Sequence, residues 1–91
     1  MKQLPENMQK NMRTSDNGKG TIYKDPKNPQ GNNVRTQNGN PKSPNKSQQK
    51  DYVKQTKNGQ VVDKNGNKIP GNKPGETPEA HIPKDEFKYK K

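Results

Sequence analysis

The chain has 91 residues, enough for one small domain, and its 19 Lys and Arg against 9 Asp and Glu give a formal net charge of +10. Only 18% of residues are hydrophobic and cysteine is absent, which excludes disulfides and thiolate zinc sites as staples. No apolar run approaches the ~20 residues of a membrane span, and the first six residues lack the apolar stretch of a signal peptide.

With a mean hydropathy of -1.83, little apolar surface is available to offset chain entropy. Stability must come from a small β core, a partner, or both. The charge attracts phosphates, anionic lipids or acidic proteins. An amphipathic membrane-surface helix is disfavoured, because 9 Pro and 8 Gly interrupt every candidate. A disordered basic chain is the rival this composition allows.

Residues 1–19 hold Leu4 and the three methionines, then a turn-rich cluster from Thr14 to Gly18. They read as a flexible linker into the domain, with a short uncapped helix over 6–13. Residues 20–91 read as a single small basic domain. Gly20–Lys24 is a first strand. Asp25 to Gly31 is a loop whose prolines cannot join a central ladder. A weak second strand over 32–37 carries Val34 and Arg35, and residues 38–50 form a polar loop long enough to be either functional or disordered.

Tyr52 to Thr56, the Asn58-Gly59 turn and Gln60 to Asp63 predict a β-hairpin. A second Asn-Gly pair at 65–66 extends it toward a three-strand meander ending near Ile69. Residues 70–78 connect to Pro78-Glu79-Ala80-His81-Ile82-Pro83. Phe87 and Tyr89 then alternate as a short strand would and are expected to cap the sheet. The expected fold is mainly β: a small twisted antiparallel sheet with short flanking strands and long polar loops.

Residues 31–60 carry six basic side chains and one acidic one, so the field is strongest there. His81, the sole histidine, is the natural general acid or base, and Glu79 would share its face in an extended segment. Such a pair can divide the proton transfers of RNA cleavage through the ribose 2′-OH without a metal. Arg35, Lys54 and Lys57 would hold the phosphate, since guanidinium and ammonium groups neutralise it. A lone histidine beside prolines also suits an ordinary turn. Tyr52 is a candidate base-stacking residue, although in so polar a chain the tyrosines also suit the core. One histidine and scattered carboxylates make no metal site, and no cofactor motif is present.

Tyr23-Lys24-Asp25-Pro26, Val34-Arg35, Gly39 to Pro44, Asp51-Tyr52-Val53, the two Asn-Gly turns and Pro78 to Pro83 followed by Asp85-Glu86-Phe87 resemble a C-terminal toxin module of bacterial polymorphic toxins. These modules belong to LXG, Rhs-type and contact-dependent inhibition proteins. The resemblance spans roughly residues 19–89. It implies a ribonuclease with functional residues at Arg35, Glu79 and His81, joined by Lys54. It also implies an acidic cognate immunity protein, a monomer when free, and action in the cytoplasm of a target bacterium after delivery within a larger toxin. The alternatives are a non-catalytic basic nucleic-acid-binding module, or a disordered chain that folds on an acidic partner.

Overall fold

The computed structural model describes residues 3–14, 18 and 20–90. These residues build a mainly β fold, a six-stranded antiparallel sheet with one short α-helix among them. The elements are α1 (Glu6–Lys10), β1 (Met12–Thr14), β2 (Gly20–Lys24), β3 (Asn33–Gln37), β4 (Tyr52–Lys57), β5 (Gln60–Val62) and β6 (Ile82–Pro83). The sheet runs β1-β2-β3-β4-β5, and β6 shares the far edge of β4 with β5, end to end.

The β4–β5 hairpin closes on Asn58 (φ 53°) and Gly59 (φ 78°), the two positive-φ residues a type I′ turn needs. This turn docks on the β2–β3 loop, with Gly59 N–H donating to Gly31 and Asn58 N–H to the Asn32 side chain. The second Asn-Gly turn also forms, with Gly66 at φ 85°. Asp63 Oδ1 accepts the amides of Asn65 and Asn67 inside it. The strand expected after it shrinks to a bridge between Val62 and Lys68 and one bond from Ile69 to Val61. Pro70 has no N–H with which to continue that ladder.

Strand alternation gives the sheet two different faces. Val34, Val53 and Ile82 point to one, with Tyr23, and Leu4, Met8 and Phe87 cover them to complete the core cluster; Tyr89 packs against it. The segment read as a linker therefore supplies two core residues, Leu4 and Met8, both at most 3% exposed, as well as the edge strand β1. Helix α1 spans five residues, far below what is stable alone in water. Its exposed Glu6–Lys10 pair at 3.1 Å adds a few tenths of a kcal/mol, so burial of Met8 is what holds it.

The final segment lies on this core face without ladder bonds of its own. Two glutamine amides take their place. Gln3 donates to the carbonyl of Phe87 and accepts the amide of Tyr89, and Gln55, 2% exposed, does the same for both backbone groups of Lys90. A primary amide carries the donor and acceptor of a peptide unit, so it substitutes for a neighbouring strand.

Candidate functional site

The second sheet face is polar. The cross-strand register Arg13↔Ile22, Ile22↔Arg35 and Arg35↔Lys54 sets three cations and one buried isoleucine in a single row. Lys24 joins the same face from β2, two residues beyond Ile22. None of the residues of β1 to β6 is acidic. Arg35 and Lys54 face each other directly, an arrangement that costs a sheet roughly 0.2–1 kcal/mol relative to neutral pairs. Burial lowers the Lys54 pKa first, the Arg35 charge lowers it further, and Glu76 acts against both. Arg35, Lys54, Asn33 and Thr56 line a shallow cavity of about 260 Å³, with Gly75 close to the Lys54 Nζ at its rim.

Lys57 falls outside this array. Odd-numbered residues of β4 face the core side, so Lys57 belongs with Val53 and Gln55 on the opposite face from Lys54. Tyr52 is on the basic face and half-buried, and its ring meets His81 edge-on, with centroids 4.7 Å apart and planes at 73°. It packs against the histidine in this structure, and Tyr23 and Tyr89 belong to the core side.

His81 is 4% exposed, and both ring nitrogens have partners. Nδ1 lies 2.7 Å from the Thr77 carbonyl, which only accepts, so Nδ1 carries the proton. Nε2 lies 3.1 Å from the Gln48 amide nitrogen, which only donates, so Nε2 presents its lone pair. The two partners agree on one neutral tautomer. Burial is the main cause that lowers the His81 pKa below the imidazole value of 6.5; the Thr77 carbonyl pulls it up, and the Lys54 charge lowers it again.

Glu79 does not share a strand face with His81. Pro78–Ala80 is a 3-10 turn, which leaves Glu79 exposed while His81 turns inward. Neither ring nitrogen of His81 bonds to Glu79. The two meet instead as walls of one open cavity of about 280 Å³, together with Asp63, Lys64 and Glu86. Tyr52, two residues from Lys54 on the basic face, packs against His81, which lines the more acidic cavity. Among the described residues, no group of His, Asp and Glu is arranged to hold a metal ion, and no helix is long and apolar enough to cross a membrane.

Sequence reasoning missed Gln48, which bonds the histidine from a 3-10 turn (Lys46–Gln48) inside the long polar loop. It also missed Arg13 and Lys24, whose place on the basic face depends on strand register and not on spacing along the chain. No family model, no curated protein and no solved structure matches this chain.

Proposed function

We propose that this chain is a metal-independent ribonuclease of the bacterial toxin-module kind, binding RNA across the basic sheet face and cleaving it where that face meets His81. The observation that carries the reading is a sheet face with Arg13, Lys24, Arg35 and Lys54 and no strand carboxylate, bordered by the only histidine. Arg35 and Lys54 neutralise the phosphate and the charge that grows on it as O2′ attacks phosphorus. His81, neutral with its lone pair on Nε2, takes the 2′-OH proton. The 5′-oxygen leaves as it takes a proton from a water molecule on the Glu79 side of the cavity, giving a 2′,3′-cyclic phosphate and a 5′-hydroxyl. An acidic partner covering the same face would silence the enzyme.

The test is incubation of the purified chain with total RNA in EDTA, with the ends of the products identified. The wild type yields cyclic phosphate ends and His81→Ala does not. No cleavage by the wild type, or equal cleavage by both, rejects the reading. A second reading, RNA binding without cleavage, is favoured by the Gln48 amide already occupying Nε2. It predicts salt-sensitive binding that His81→Ala leaves intact.

A further inference from the structure

We propose that Gln48 is a latch on His81: its amide occupies the Nε2 lone pair in the free chain, and the loop that carries it withdraws when a substrate hydroxyl takes the same place. Gln48 is the positioning residue in this scheme, acting through the histidine. The substrate half of the inference rests on the ribonuclease reading; the latch does not.

Three features support it. The first is the match between occupant and substrate. Nε2 is offered a donor, and a ribose 2′-OH is a donor of the same reach. An amide N–H cannot give up its proton to imidazole, whereas a hydroxyl attacking phosphorus does so. Gln48 therefore fills the reacting position with a group that cannot react.

The second is that the amide is held in one orientation. Gln48 Oε1 accepts from Ser43 Oγ at 3.3 Å, and Ser43 Oγ accepts the backbone amide of Asn45. Reversing the amide would point its oxygen at the Nε2 lone pair and require the Ser43 hydroxyl to turn from donor to acceptor.

The third is the construction of the loop. Its bonds run largely within itself: Asn40 N–H to Gln48, Gln48 N–H to Asn45, and the Gln49 side chain to Ser43. At its neck Gly39 N–H donates to Asp51, and the Gly39 Cα is so close to Lys50 that an added Cβ would collide with the Lys50 backbone. A loop closed at the neck and bonded internally can move as a unit while the β3–β4 ladder stays intact. The charged groups around His81 remain in place during such a shift: Lys54 from the sheet, and Glu79, Asp63, Lys64 and Glu86 across the cavity.

The chain has one histidine, so diethyl pyrocarbonate, which carbethoxylates unprotonated imidazole with a rise in absorbance at 240 nm, reads this site alone. At pH 7.5 on the full chain, Gln48→Ala is expected to react about tenfold faster than wild type, the equivalent of one net hydrogen bond. Ser43→Ala, which frees the amide without removing it, is expected to fall between the two. Gln48→Glu places an acceptor at Nε2, favours imidazolium, and is expected to react more slowly than wild type at pH 6.5.

A Gln48→Ala chain that keeps its circular dichroism spectrum and reacts at the wild-type rate overturns the latch. If Gln48→Ala reacts as fast as the urea-unfolded chain, Gln48→Glu decides: a rate below wild type supports the latch, and an equal or faster rate overturns it. RNA cleavage is scored separately. Absence of cleavage in every variant defeats the ribonuclease reading and leaves the carbethoxylation result to stand for the latch.

Discussion

Neutralising one cation of the basic face should change how RNA binding depends on salt, by an amount fixed by where that cation lies. Arg13, Lys24, Arg35 and Lys54 share the face, and the row from Arg13 to Lys54 crosses three strand spacings, roughly 14 Å. If each meets one phosphate of a single strand, four contacts give a slope of log K against log salt of about −2.8. Raising salt from 50 to 200 mM then weakens binding about 50-fold. Arg35→Gln removes one contact, so the slope should flatten to about −2.1 and the loss should shrink to about 18-fold. Lys57→Gln removes the same charge from the opposite face and should leave the slope unchanged. Fluorescence anisotropy with a labelled single-stranded RNA and the His81→Ala background measures all three. Loop lysines add to the absolute slope of every protein alike, so the difference between variants carries the test. Equal flattening by Lys57→Gln and Arg35→Gln would refute the assignment of binding to this face.

Arg35→Thr removes a like-charge cross-strand pair and adds a β-branched residue, so it should raise the urea midpoint by about 0.5 kcal/mol of stability while weakening RNA binding. Phe87→Ala empties a core site 4% exposed and should cost about 3 kcal/mol, read from urea melts followed by far-ultraviolet circular dichroism. His81 has a depressed folded pKa, so its share of stability is complete above about pH 6.5 and declines as pH falls, because the unfolded chain takes up the proton first. The urea midpoint should therefore drop from pH 7.5 to pH 5.5, and by less in His81→Gln. Gly39→Ala forces backbone against backbone at the loop neck and should destabilise the loop by about 1–3 kcal/mol, seen as faster amide exchange over residues 40–50.

The sheet was readable where turn chemistry and alternation coincide. Asn58-Gly59 between two β-rich arms fixed the hairpin and its register, and Phe87 and Tyr89 announced a cap by their spacing. The short helix expected over 6–13 forms as α1, whereas strand β1 and the core role of Leu4 and Met8 gave no signal, because these residues stand among polar ones and their burial depends on a sheet made of residues far along the chain. Gln55 reads as a polar strand residue, and only the arriving backbone of Lys90 makes it a core position. The site was legible in part. Tyr52 and Lys54 share a face because strand period two is a local rule, whereas Arg35 joins them through the β3–β4 register. Lys57 was grouped with them by charge, against that rule. The Glu79–His81 relation failed as a strand pair because Pro78 starts a 3-10 turn, and Gln48 was hidden because a polar loop gives no periodic signal.

The glutamine clamps have a consequence for when the domain can exist at all. Half of the cover over Val34 and Val53 arrives with Phe87 and Tyr89, at contacts separated from Gln3 by more than eighty residues. Closing so long a span is rewarded only at the last step, so the core cannot be sealed while those residues are still inside the ribosome. Until those residues have emerged, the four strands that carry the basic face lack half of the cover on their core side.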